Sequence, residues 1–111
     1  MSTRSEPKSD LPPTPTQAEV HQLAKEKGFY DYTPVYHDAH VFRAVALIHS
    51  ELSEFLEAMR RGDEQGAQME LADVYLRLLD LSEFFGGDIR ENAAIKHEVN
   101  KKRPYKHGKA F

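Results

Sequence analysis

The chain has 111 residues, no Cys and no Trp, 40% hydrophobic residues and a formal net charge of −3, the profile of a soluble protein of one domain. A disulfide framework is excluded. No apolar run approaches the roughly 20 residues of a membrane span, and Met1 to Asp10 lacks the apolar core of a signal peptide, so a cytoplasmic protein without a membrane partner is expected.

Residues 1–15, "MSTRSEPKSDLPPTP", hold four of the six prolines and too little apolar surface to offset the entropy of ordering, which predicts a flexible leader. The folded unit is then 16–111. A unit of about 95 residues has a marginal core of its own, and partner subunits would help it.

The first predicted helix is "TQAEVHQLAKEK", Thr16 to Lys27, with Thr16 and Glu19 in a capping-box pattern and Gly28 as its stop. The link that follows, "GFYDYTPVYHDA", is too irregular for a strand and carries Phe29, Tyr30, Tyr32 and Tyr36. Such aromatics either cover a core edge or, beside a polar site, stack on a base. Helix two is expected from about Ala39 to Arg60, ending at Gly62. Asp63 then caps helix three, Glu64 to Phe85, which stops at Gly86-Gly87, and Asp88 caps helix four, which continues to about Arg103 before Pro104. With no alternating strand pattern, the fold class is all-α.

Helix three is apolar nearly all round. Val74, Leu78, Leu81 and Phe85 form one face, and Met69, Ala72, Leu76 and Leu79 a second. So small a unit has too few helices to cover both, which points to a homo-oligomer, a dimer or a tetramer.

On helix two, Ala44, Leu47, Ile48, Phe55 and Ala58 share one side, yet Glu51 sits in the middle of that face and Glu54 at its edge. Glu70 and Asp73 are likewise three residues apart on helix three, and the short link between the helices lets all four acids converge. Clustered, buried carboxylates repel one another and lose solvation, so they need either protons or a cation. An all-oxygen set without His or Cys suits Mg²⁺ or Mn²⁺. The plain alternative puts the acids on solvated edges with Arg43, Arg60 or Arg77 as ion-pair partners.

Helix four supplies cations. Asn92, Lys96, Asn100 and Arg103 fall on one ridge of its wheel, suited to phosphate oxygens or, equally, to water. From Lys96 to Phe111, six Lys and Arg residues face a single acid, Glu98. As a simple tail this end would be solvated. Acids on two helices opposite cations on a third describe a site for a metal-bound polyphosphate.

The stretch "SELSEFLEAMRRGDEQGAQMELADVYLRLLDL" resembles the MazG-like, all-α nucleoside triphosphate pyrophosphohydrolases, whose signature is E-E-x-x-E followed after a spacer by E-x-x-D. The closing "NKKRPYKHGKAF" is similar to the ending of the short phage-type members. The resemblance spans about Ala18 to Phe111. It implies a four-helix bundle completed by oligomerisation and Mg²⁺-dependent hydrolysis of a (d)NTP to the monophosphate and pyrophosphate, by water attack at the α-phosphorus. Glu51, Glu54, Glu70 and Asp73 match its catalytic and metal-holding acids, and Lys96, Asn100 and Arg103 its phosphate-facing positions, with His107 a possible addition. Ser50 stands where longer members have the first Glu, and it can serve neither as base nor as charged ligand. The base pocket would draw on His21, Lys25, Phe29, Tyr30 and Tyr32. Alternatives are a phosphoribosyl-ATP pyrophosphohydrolase-like enzyme and a non-catalytic helical module binding nucleic acid through its basic end.

Overall fold

A computed structural model describes residues 10–31 and 37–105, His37 by its backbone alone. The expected leader falls largely on residues 1–9, outside the described residues. The described chain forms four helices and no strand: α1 (Gln17–Glu26), α2 (His37–Arg60), α3 (Glu64–Phe85) and α4 (Ile89–Lys101).

The helix starts follow from short polar side chains that satisfy free amide groups. Thr16 Oγ1 accepts from the Glu19 amide at 3.1 Å while Glu19 Oε1 accepts from the Thr16 amide at 2.8 Å, the reciprocal capping box. Asp63 accepts from the Gly66 amide, and Asp88 from the amides of Arg90 and Glu91. The stops at Gly62 and Gly86 need left-handed backbone, with φ of 74° and 80°.

Two boundaries differ from expectation by two residues. α2 begins at His37, two residues before Ala39, with Asp38 in its first turn facing the positive end of the helix dipole. α4 ends at Lys101, so Arg103 lies beyond it. The amides of Lys102 and Arg103 bond back only three residues, to Val99 and Asn100, and tighten the chain ahead of Pro104, which disfavours helical backbone in the residue before it.

α3 is the central helix. α2 returns along it after the three-residue link 61–63, α1 packs on it less extensively, and α4 touches it only lightly. Small side chains let the α2–α3 corner close: Ala58 and Ala67, either side of the Gly62 turn, are fully buried. Gln17 fastens α1 to the α3–α4 junction, donating through Nε2 to Glu83 and the Gly87 carbonyl and accepting from the Ile89 amide.

The core is small. Among the described residues the buried apolar side chains are Ala58, Ala67 and Leu79. On α2 the expected inward face is the covered one, with Ala44, Leu47, Ile48 and Phe55 half-buried. On α3, Leu76 and Leu79 are covered but Met69 and Ala72 are not, and Phe85 at the end of the first face is exposed. Phe42, Leu56 and Met59 of α2 and Ile95 and Val99 of α4 also lie open. No helix among the described residues is long and apolar enough to cross a membrane.

Candidate functional site

The turn at Gly62 sets the register of the acids. Glu51 and Asp73 lie equally far from it along the chain, as do Glu54 and Glu70, so folding α2 back on α3 sets the four in two facing pairs about one helical turn apart. One carboxylate oxygen from each of Glu51, Glu70 and Asp73 falls within 4.8 Å of the others. Glu51 is buried at 8% exposure, Glu70 is half-buried and Asp73 is exposed. Glu54 is exposed and outside this group of three, but its charge reaches Glu70. Loss of solvation raises the Glu70 carboxyl above the ordinary carboxylate range, helped by a side-chain hydrogen bond with Glu51 and by the charges of Glu54, Glu51 and Asp73. Three converging oxygens, one group held toward its protonated form and no nitrogen or sulfur donor together suit a hard, oxygen-seeking divalent cation.

One cation of the chain already stands at the group. Arg77 donates from Nε and Nη2 to Glu51 Oε1 at 3.2 and 3.1 Å. Of the three arginines considered from sequence, Arg77 takes an acid of the site, Arg60 pairs with Glu57 outside it, and Arg43 lines a cleft nearby. The Arg77 Cζ lies 5.6 Å from the centroid of the Phe29 ring. Arg77 and Phe29 form a wall common to two clefts. One opens between α2 and α3 beside His40, Arg43 and Leu47. The other, about 210 Å³, opens between α1 and α3 beside Leu23, Lys27, Asp73 and Leu76.

Asp80 lines both clefts and organises their floor. Its Oδ1 lies 2.7 Å from His21 Nδ1 and accepts from the Tyr30 hydroxyl at 2.9 Å. The Tyr30 ring stacks on His40 at 4.6 Å and on Phe84 at 5.9 Å. Burial first, then the hydrogen bond to Asp80 and its charge, push the Tyr30 hydroxyl well above the usual tyrosine range.

Of the remaining expected residues, Phe29 shares a cleft with Asp73. Lys25 is exposed and lines neither cleft; Lys27 lines that one instead. Asn92 and Lys96 are exposed on α4, which rests against α3 alone to any extent, and Arg103 lies past the helix end. Asn100 is half-buried, with a shielded Oδ1 that accepts no hydrogen bond among the described residues. Ser50 donates to the Leu47 carbonyl at 2.8 Å, turned back on its own helix. Tyr32 and His107 lie outside the described residues.

The sequence pattern alone does not mark Asp80, His40 and Phe84. Helical spacing does carry part of them: Glu70, Asp73, Arg77 and Asp80 run at i, i+3, i+7 and i+10, a single polar stripe along α3. Comparison with family models, curated proteins and solved structures gives no match for this chain.

Proposed function

We propose that the chain is a Mg²⁺-dependent pyrophosphohydrolase, with Mn²⁺ able to substitute, that converts (deoxy)nucleoside triphosphates to the monophosphate and pyrophosphate as a homo-oligomer. The observation that carries the reading is the convergence of Glu51, Glu70 and Asp73 to within 4.8 Å, at the positions where the sequence resembles the MazG-like enzymes. These three would hold the cation, which when bound supplies Lewis acidity at phosphoryl oxygens and charge to offset the departing pyrophosphate.

The chain's own residues divide the remaining work. Glu54, exposed and outside the group of three, is the acid open to take a proton from the attacking water. Ser50 has no part in that step, being engaged with the Leu47 carbonyl. Phe29, 41% exposed at the wall between the clefts, offers a ring face for a base. Lys96 and Asn100 serve the triphosphate tail once a second copy, covering the open apolar sides, builds the full bundle around the acids.

The test is release of pyrophosphate. The chain is incubated with each dNTP, each NTP and phosphoribosyl-ATP, with Mg²⁺ and then with EDTA. Pyrophosphate and monophosphate in equal amounts, lost with EDTA, support the reading, and the preferred substrate separates the two enzyme classes. A second reading follows from the exposure of Lys96 and Arg103 at the cationic end: a module that holds nucleic acid by that end. No turnover of any nucleotide, with DNA or RNA binding that weakens steeply in salt, would favour it.

A further inference from the structure

Arg77 lies on the same side of α3 as Glu70 and Asp73, and its guanidinium faces two ways. On one side Nε and Nη2 both donate to a single oxygen of Glu51, the most buried of the three converging acids. On the other it lies over the Phe29 ring, at a wall that opens into both clefts. The Arg77 side chain is itself 29% exposed and that of Glu51 10%, so the pair is only partly screened by water.

We propose that Arg77 makes cation binding at Glu51, Glu70 and Asp73 conditional on an anionic ligand, acting as the cluster's own counter-ion until a phosphate-bearing molecule takes over the guanidinium. This rests on the reading of the three acids as a divalent-cation site and adds the rule by which the site fills. A guanidinium on Glu51 Oε1 occupies lone pairs that a metal needs and sets a positive charge beside the incoming one, in surroundings where repulsion is strong. A polyphosphate removes the conflict. Its oxygens match the planar fork of Arg77, Phe29 supports the face of the guanidinium, and the added negative charge balances the cation. By linkage, the factor by which the anion tightens the cation is the factor by which the cation tightens the anion. The site therefore takes the metal and the polyphosphate together and holds either one weakly alone.

The opposite role is a positioning one, in which Arg77 aligns Glu51 for the metal and its loss weakens metal binding under every condition. The two roles differ in sign. Free Mn²⁺ is followed by electron paramagnetic resonance as the full chain is titrated, alone and with a dNTP analogue not hydrolysable between the α- and β-phosphates. Arg77→Gln should bind Mn²⁺ alone at least about five-fold more tightly than the wild type, and the gain from adding the analogue should shrink by a similar factor, within the roughly 5- to 150-fold range of coupled sites. Arg60→Gln, whose partner Glu57 is outside the cluster, should match the wild type. Arg77→Lys, which keeps the charge without the fork, should retain part of the coupling; if Arg77→Gln does not fold, undiminished coupling in Arg77→Lys overturns the proposal. Unchanged or weaker Mn²⁺ binding in folded Arg77→Gln overturns it too, and leaves the hydrolase reading standing if dNTP turnover persists. Failure of the wild type to bind Mn²⁺ with or without the analogue removes both.

Discussion

His21 on α1 and Asp80 on α3 meet at 2.7 Å, and the Tyr30 hydroxyl donates to the same Asp80 oxygen at 2.9 Å. One carboxylate thus holds α1 and the turn after it against the central helix, far from its partners in the chain. Asp80→Ala removes the acceptor that both groups use. The expected loss is about 1–3 kcal/mol, a fall in Tm of roughly 4–8 °C for each kcal/mol in a domain this small. Asp80→Asn, which keeps an acceptor oxygen, should lose less. Thermal melts followed by circular dichroism compare them, and equal Tm for wild type and Asp80→Ala would mean that the network holds nothing together.

The same network sets a pH response. Burial and the neighbouring Asp80 raise the Tyr30 hydroxyl in the folded chain, so its contribution to stability is fully present below the unfolded tyrosine value of about 10 and is lost as pH rises above it. Of the five tyrosines, Tyr30 should ionise last. Tyrosinate absorbance titrated on wild type and Tyr30→Phe shows this: the substitution should delete the latest-ionising step and no other.

Glu70 works in the opposite pH range. Its folded carboxyl is raised by partial burial, by its hydrogen bond with Glu51 and by the neighbouring acids, so the folded chain binds more protons there than the unfolded chain. Stability without metal should therefore fall as pH rises from the unfolded carboxylate range of about 4.3 through the raised folded value. Glu70→Gln should flatten that slope. Cation binding must displace the proton, so near the low end of this range Mn²⁺ should bind more weakly and release protons, measured by calorimetry in buffers of different ionisation enthalpy. Binding with no proton release across the range would count against Glu70 as a ligand.

Removing one charge while keeping shape tests the acids singly. Asp73→Asn should stay folded, bind Mn²⁺ more weakly and lose Mg²⁺-dependent pyrophosphate release. Glu54→Gln should also lose turnover but keep most of its Mn²⁺ affinity, because Glu54 lies outside the group of three. The wild-type melting temperature should rise with Mg²⁺ and rise less in Asp73→Asn, since a ligand that binds only the folded chain stabilises it. Near-wild-type turnover by either variant would sink the assignment of that residue.

Much of this arrangement is written in local sequence. Thr16 with Glu19, Asp63, Gly86 and Asp88 act within a few residues of themselves, so the four helices could be read with ends off by at most two residues. Three of the four acids could be read too, because a three-residue link fixes the register of α2 on α3 and equal distances from Gly62 pair Glu51 with Asp73; Glu54 stays outside the group. Asp80 could not be matched with His21 and Tyr30, since that contact depends on how α1 rotates about α3, which no local pattern encodes. Nor does the wheel of α4 state a partner: it places Asn92, Lys96 and Asn100 on one ridge but is silent on the little surface that α4 shares with α3.

The exposed apolar residues give an assembly test. Phe42, Leu56, Met59 and Met69 lie open on α2 and α3, more apolar surface than scattered single residues account for. Light scattering should give a multiple of 12.7 kDa at micromolar concentration. Leu56→Arg, at an exposed position where one chain alone has little to lose, should shift the mass toward one chain. A single-chain mass for the wild type at every concentration would remove the proposed oligomer and with it the proposed approach of α4 to the acids.

Whether the α4 ridge reads phosphates is decided by comparing ligands that differ only in them. Lys96 is exposed on the single chain, so Lys96→Ala should leave the fold and the melting temperature nearly untouched. If the assembled protein sets Lys96 against the β,γ-phosphates, the substitution removes a charge-assisted contact of about 1.5–3 kcal/mol. Binding of a non-hydrolysable dNTP analogue should then weaken roughly ten- to a hundred-fold, while dNMP, which lacks those oxygens, binds as before. Lys101 is the control, because its Nζ is paired with Glu98 at 2.8 Å on an exposed surface, where an ion pair contributes little. Calorimetric titration of both variants with both ligands gives four affinities. Equal weakening of the two ligands by Lys96→Ala, or equal effects of the two substitutions, would make the ridge a water-facing surface and move the search for the triphosphate tail to Lys27 and Arg43 at the clefts.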